Sequence, residues 1–465
     1  MKISLRPAAA ALFLASVMIV GGCKQPSAPA AALPAPTASA GESGQVSFWV
    51  ATDTHYLDPG LQDGGKAFQT YVNGGDGKML PYSDELMDAL VRDADLKKPK
   101  FLILSGDLTN NGEAASHKKL VEKLAKLEQD GTQVYVIPGN HDILNPWARS
   151  FKGDKQVIAD HITDKDFLKL YADYGYNEAF SRDDKSLSYA VQAAPGLWLL
   201  MIDSAQYMNN EKYNFPQTDG RILPETLVWM EGIAGQAKQA GASVITVMHH
   251  NLISHTSLAV SGFKLNNSQE VMKALRKDGL GLVLSGHIHM QDIRRDPDPD
   301  VYDPAAAKLL PVYDIATSAM AVNPHQYGAM TYEAGSHHFT YHTAAVDVEG
   351  WAKAKGSQDE NLLNFRAYAE KKFTEESYAK SMGRLKDSGN TEAEKASMAE
   401  VMARLNIFYF AGTVAEHLDE IKALPGYKLW EEAGEGFMAD YIRSMSTEKT
   451  NKSNVSLELT LPVPQ

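Results

Sequence analysis

The sequence predicts an α/β protein, sheet covered by helices, followed by a helical C-terminal domain. Between Phe48 and Ile137, short apolar runs rich in β-branched residues alternate with amphipathic segments at helical spacing. Five apolar runs end on Asp, Asn or His, which marks them as strands delivering polar groups to one edge. From about Glu349 the chain turns to Ala, Glu, Lys, Leu and Met at helical spacing.

In order, the first strand is Phe48 to Ala51. A Gly-rich stretch from Asp58 to Gly77 follows, too long for a simple connection and so expected to be a functional loop; it and its flank carry Lys66, Tyr71 and Lys78. Ser83 reads as the N-cap of a helix running to about Asp93. Phe101 to Leu104 is the second strand. Glu113 to Gln129 is a helix with Leu120, Leu124 and Leu127 on one face and Gly131 as its stop. Gln133 to Ile137 is the third strand. Asp164 to Tyr174 reads as a helix capped by Thr163. Ser186 to Val191 and Leu197 to Ile202 read as neighbouring strands of a second sheet. Pro224 to Ala240 is helical, with Pro at its start and Gly241 after it. Val244 to Met248 and Leu282 to Leu284 are strands flanking a short helix, Ser268 to Lys277. Val312 to Thr317 and Phe339 to Val348 complete the strands. Helices are expected over Ala354 to Arg384, Thr391 to Ile421 and Tyr427 to Met445, then a polar tail.

At 465 residues the chain is too long for one typical core, so more than one domain is expected. Its net charge of -13 argues against bulk nucleic-acid binding, which needs a basic surface. The single cysteine excludes an internal disulfide framework. That residue, Cys23, follows a basic start (Lys2, Arg6), an apolar run from Ala8 to Val20, and Gly21-Gly22. This is an export signal, and the run is short for a membrane span. Val20-Gly21-Gly22-Cys23 resembles the lipobox of bacterial lipoproteins, which implies lipidation of Cys23 and anchoring to a membrane on the extracytoplasmic side. Ala/Pro/Ser-rich sequence after it suits a flexible tether. The expected division is residues 1–22 signal, 23–44 tether, 45–348 α/β catalytic domain, and 349–465 helical domain with tail.

The strand-end groups are Asp53, His55, Asp107, Asn140, His249, His287 and His289. Imidazoles and oxygens without thiolate suit Zn, Fe or Mn. Asp53-x-His55 and His287-x-His289 set two donors on one side of an extended segment. Seven donors exceed the needs of one tetrahedral ion but fit two ions sharing a carboxylate, with Asp107 the natural bridge and Gly106 beside it allowing close backbone approach. Paired metals serve in-line displacement at phosphorus: they acidify water and neutralise charge on the phosphoryl oxygens. His141, following Asn140, is placed to protonate the leaving oxygen. Asp142 either orients His141 or ties down the loop.

These blocks, Asp53-x-His55, Gly106-Asp107, Gly139-Asn140-His141-Asp142, His249-His250 and Gly286-His287-x-His289, resemble the five-block pattern of calcineurin-like metallophosphoesterases. The resemblance implies a β-sandwich flanked by helices. It implies one metal on Asp53, His55, Asp107 and His289, and a second on Asp107, Asn140, His249 and His287. It further implies a phosphodiesterase of cyclic or small nucleotides, similar to a bacterial lipoprotein branch; a phosphomonoesterase and a phospholipid- or sphingomyelin-type phosphodiesterase are the alternatives. A non-catalytic surface binding protein would be expected to have lost donors that this chain keeps. Many relatives carry His-His-Pro where this chain has His249-His250-Asn251. His249 is assigned as ligand because it directly ends the strand, leaving His250 to face substrate or serve structure. Asn110, Asn111 and His255 are weaker candidates for substrate or supporting contacts, and Pro324 to Gly328 for an edge of the pocket. The oligomeric state is not readable from the sequence.

Overall fold

The computed structural model describes residues 44–258, 261–298, 308–446 and 453–461. Cys23, the apolar run before it and most of the expected tether lie outside the described residues. Two sheets face each other. The six-stranded sheet runs, edge to edge, Ser456–Thr460, His338–Ala345, Gln326–Glu333, Gln45–Ala51, Phe101–Ser105, Gln133–Ile137. The seven-stranded sheet runs Asp292–Asp296, Val312–Ala316, Leu282–Ser285, Ser243–Met248, Leu197–Ile202, Tyr189–Ala194, Ser181–Arg182. This is the expected sandwich flanked by helices.

Burial fixes the register. Phe48, Val50 and Ile103 of one sheet share a core with Leu199, Met201, Ile245, Val247 and Leu284 of the other. Each fully buried aliphatic side chain is worth roughly 1.5–3 kcal/mol, and a one-residue slip would turn every one of them to the opposite face. On the outer face of the seven-stranded sheet, Trp198, Leu200, Val244 and Val283 pack against Met230 and Leu275. Those two come from helices Pro224–Ala240 and Ser268–Asp278. Each sheet contains a parallel block: Gln45–Ala51 with Phe101–Ser105 and Gln133–Ile137, and Leu197–Ile202 through Val312–Ala316. Parallel strands finish at the same end, so the polar residues after Ala51, Ser105, Ile137, Met248 and Ser285 emerge together.

Seven helices between Val348 and Ser446 form the C-terminal region. The three long expected helices are broken where the backbone demands it. Phe365–Leu385 is preceded by separate short helices, Gly412 in the left-handed region ends Glu392–Ala411, and Gly434 and Gly436 precede Phe437–Ser446. Their shared core (Met398, Val401, Met402, Leu405, Trp430, Ile442) also takes in Met290 of the α/β layer. Among the described residues, no helix is long and apolar enough to cross a membrane.

Other differences have local causes. The tail is not merely polar: Ser456–Thr460 pairs antiparallel with His338–His342 as an edge strand. A hairpin, Arg149–Lys152 with Lys155–Ile158, has too little buried apolar surface to show in the sequence. The Asp164 helix stops at Leu170, because Gly175 turns the chain left-handed within a wide turn, Ala172–Tyr176. Ser83 is not an N-cap; its hydroxyl donates to the Leu57 carbonyl and the cap position is Tyr82.

Candidate metal centre

Thr52 to His55 continue from their strand in register with the next: the N–H groups of Asp53 and His55 donate to the carbonyls of Gly106 and Asp107, both at 3.0 Å. Asp53, His55, Asp107, His287 and His289 all have φ between 39° and 68°. The left-handed region costs roughly 1–2 kcal/mol for a side-chain-bearing residue, so five such residues in one place are conformational strain concentrated at a functional site. Gly139 shows how tight the approach is. A Cβ there would lie 2.2 Å from the Asp107 amide nitrogen and carboxylate. At Gly106 (φ 101°) a Cβ would sit 2.6 Å from His249 Nδ1, matching the close approach expected there.

The donor atoms gather into two groups sharing Asp107: Asp53, His55, Asp107 and His289, and Asp107, His249 and His287. In the first, His55 Nε2 lies 3.1 Å from His289 Nε2, 3.7 Å from Asp53 Oδ1 and 3.8 Å from Asp107 Oδ2. His289 Nε2 lies 3.2 Å from Asp53 Oδ1. In the second, His249 Nε2 is 3.3 Å from Asp107 Oδ2 and 3.1 Å from Asn140 Oδ1. Donors around a four-coordinate ion with bonds of about 2.0–2.2 Å stand about 3.3–3.6 Å apart, so both groups are spaced to hold one. Asp53 Oδ1 is buried without a hydrogen-bond donor, a state that is costly unless something else pairs with it. Residues and spacing therefore fit two cations.

Hydrogen bonds outside the centre aim four of the donors, His249, His287, Asp107 and Asp53, inward. A carbonyl can only accept, so His249 Nδ1–H donates to Ser105 (3.0 Å) and His287 Nε2–H to Gly262 (2.9 Å), which turns the other ring nitrogen of each toward the centre. Asp107 Oδ1 accepts from the His141 amide at 2.8 Å, so Oδ2 is the oxygen common to both groups. Asp53 Oδ2 accepts from the Thr52 hydroxyl and the His287 amide, leaving Oδ1 to the centre. Burial works against the Asp107 carboxylate, but the surrounding histidines, His249 foremost, hold it well below its usual range. Burial also disfavours charge on His249, yet Asp107 and Asp53 raise that imidazole to about 9.

His141 sits at the mouth of the centre, half-buried. Its Nδ1–H donates to the Asn110 carbonyl at 2.9 Å, and Nε2 faces Asp107 Oδ2 at 4.0 Å. Burial lowers it to about 4, the nearby Asp107 carboxylate only partly compensating. Asp142 does not touch the His141 ring. Its carboxylate accepts from the amides of Gly139, Leu108 and Thr109, so of the two roles open to it the contacts are those of a loop brace.

Four other residues weighed in the sequence lie outside the cavity beside His141. The His250 ring is engaged by Ser204 Oγ and the Thr218 carbonyl and packs on His287, contacts that match the structural of its two readings. His255 is clasped between Asp292 and Asp314. His325 is buried with Nδ1–H donating to the Met320 carbonyl, and its loop borders a separate cavity with Phe365. Lys66 is exposed and lines none of the cavities beside the centre. Asn110 and Asn111, in contrast, line a cavity of about 610 Å³ beside His141, together with Tyr71, Lys78, Trp147 and Arg149. Both side-chain amides donate to Tyr71 Oη. Asp76, which sequence reasoning passed over, pairs with Lys78 at 3.3 Å and lies 4.0 Å from His289 Nδ1. Lying in a Gly-rich loop away from every strand end, it carried no sequence signal.

The chain belongs to the calcineurin-like phosphoesterase family, whose model matches residues 46–291. Residues 347–452 match a second model, described as the C-terminal domain of cyclic nucleotide phosphodiesterase. Solved structures it is similar to include a dimetal phosphatase from Danio rerio, at 14% identity and TM-score 0.42, covering 64% of this chain and 95% of that one. Another is GAP50, described as the anchor in the inner membrane complex of Plasmodium, at 9% identity and TM-score 0.35, covering 65% and 85%. No curated protein matches the chain. The family and the donor groups make this a phosphoesterase whose substrates are small phosphate esters.

Proposed function

We propose that the protein is a phosphodiesterase of cyclic or small nucleotides that works with two metal ions. The observation that carries the two-metal reading is the pair of donor groups meeting at Asp107 Oδ2 beside a cavity wide enough for a small ester. The match of the C-terminal region to a model described from cyclic nucleotide phosphodiesterase supports the choice of ester.

Asp53, His55, Asp107 and His289 would hold one ion, and Asp107, Asn140, His249 and His287 the other. Such a pair, Fe, Mn or Zn, supplies Lewis acidity toward the phosphoryl oxygens and lowers the pKa of water. His141 does the proton work. Water attacks phosphorus and releases a proton to solvent, the ester P–O bond breaks, and His141, as the imidazolium, gives its Nε2 proton to the departing oxygen. Held neutral by burial in the free site, His141 gains affinity for that proton when a phosphate anion lies beside it. The Asn110 carbonyl fixes its tautomer and ring plane. Lys78, flanked by Asp76, and Arg149 on the cavity wall offer positive charge to the non-bridging oxygens.

The test is purified full-length chain supplied with Mn, Zn or Fe and given cyclic nucleotides, dinucleotides, glycerophosphodiesters and phosphomonoesters, alongside metal analysis. Two ions per chain and preference for the nucleotide diesters are expected. Metal-loaded protein that hydrolyses neither mono- nor diesters overturns the reading. The lipid anchor at Cys23 rests on sequence alone. Cys23→Ser is expected to move the protein from the membrane fraction to the soluble extracytoplasmic fraction, and unchanged partition would remove the anchor.

A further inference from the structure

A second cavity, about 450 Å³, lies between the α/β layer and the C-terminal helices. It adjoins the metal centre through residues that touch or flank the donor histidines. Asp76 belongs to both cavities and approaches His289, Ile288 stands between two donor histidines, and Phe263 packs on His287 with ring centroids 5.5 Å apart. The α/β domain alone would leave this side open; helices Phe365–Leu385, Glu392–Ala411 and Phe437–Ser446 supply the remaining walls.

Its lining is aromatic and sulfur-rich, with Phe373 and Phe410 edge to face at 5.0 Å and Met402 between the helices. Such walls take flat rings, by stacking and by thioether contact. They are not uniformly apolar. Ser381 is 1% exposed and its hydroxyl has no hydrogen-bond partner, and Glu376 Oε2 is likewise buried and unpartnered. Asn406 bonds to Ser377 and Tyr441 through one atom of each amide end. That leaves a second N–H on Nδ2 and a second lone pair on Oδ1. An occupant made only of methylenes would leave the serine and glutamate unpaired, at a cost of about 1–3 kcal/mol each. A nitrogen heterocycle with donors and acceptors on its rim would satisfy them.

We infer that this cavity receives the heteroaromatic base of a nucleotide whose phosphate lies on the metal centre, so that the C-terminal helices confer specificity. The inference rests on the phosphodiesterase reading. Its specific claim is that recognition of the base depends on Met402, Ser381 and their neighbours, far in sequence from every metal-donor residue.

The experiment compares kcat/KM for 3′,5′-cyclic AMP, glycerophosphoethanolamine and micellar short-chain phosphatidylcholine in the full-length chain, with Met402→Trp to fill the cavity and Ser381→Ala to remove the unpartnered hydroxyl. Thermal melts establish that each variant is folded; should Met402→Trp fail to fold, Ser381→Ala decides. In Met402→Trp the ratio of kcat/KM for cyclic AMP to that for glycerophosphoethanolamine is expected to fall at least tenfold, chiefly through KM. In Ser381→Ala the same ratio falls roughly fivefold. An unchanged ratio in a folded variant, with cyclic AMP still hydrolysed, overturns the base pocket and leaves the phosphodiesterase standing. A loss confined to phosphatidylcholine assigns the cavity to acyl chains and overturns the base pocket too. Absence of hydrolysis of all three by metal-loaded wild type overturns both readings.

Discussion

The strand-end centre and the C-terminal helices meet at Ile288 and Met290 but are built by opposite means. At the centre, backbone geometry does the placing: parallel strands finish together, five donor residues accept a left-handed backbone, and Gly139 admits Asp107 where no Cβ fits. In the second cavity, ordinary helices place Phe373, Ser381 and Met402 by packing alone, without left-handed backbone. On the proposed reading labour is divided: the donors are held by backbone that admits no Cβ at Gly139 and Gly106, while selectivity would lie with surfaces that can be varied side chain by side chain.

The strongest way to break that division is Asp107→Ala. It should abolish binding of both ions and lower kcat/KM by about 10⁴-fold or more, with a cooperative melt retained. Metal analysis beside the assay checks this, and a variant that keeps one ion and substantial turnover would show that Asp107 is not shared. His141→Ala comes next. It should keep both metals and slow turnover by about 10²–10⁴-fold, most for poor leaving groups. Equal slowing of good and poor leaving groups would strip His141 of the proton-donor role.

Smaller effects sharpen the contrast through stability. His117 is buried against Tyr171 and the Asp142 carbonyl, and burial lowers it to about 3. Unfolded, it titrates near 6.5, so the unfolded chain binds the extra proton first. Its contribution is complete above that pH and is lost as pH falls from 6.5 toward 3, with a limiting slope of about 1.4 kcal/mol per pH unit. Urea titrations at pH 7 and pH 5 measure the slope, which His117→Gln should reduce. The least effect is expected at Thr391, which with Glu394 closes a capping box at the start of Glu392–Ala411. Thr391→Ala should cost about 1 kcal/mol of stability and leave kcat/KM within about twofold. A large fall in activity there would couple the helical region to the chemistry itself and dissolve the division.

Several elements were legible because their signals are local. Gln133–Ile137, Leu197–Ile202 and Pro224–Ala240 agree with the structure residue for residue, each being an unbroken apolar or periodic run with its own stop. Gln326–Glu333 was not. Gly328 interrupts its pattern because Tyr341 and Val50 crowd that position, where a Cβ would stand 2.3 Å from the Tyr341 ring. The edge strand Ser456–Thr460 escaped for a different reason, since its alternate residues face solvent and only Leu459 is fully buried.

The amino-acid order alone marked the side chains that gather into the two donor groups. Asp, Asn and His at the ends of apolar strands are too costly to bury idle, and their spacing declares a shared purpose. Only the folded chain decided that Asp142 braces a loop, that Asp76 stands beside His289, and that helices far along the sequence wall the second cavity. Those outcomes depend on which surfaces meet when two sheets and a helical layer close over a common core, and contacts between distant segments leave no periodicity in the sequence for a reader to find.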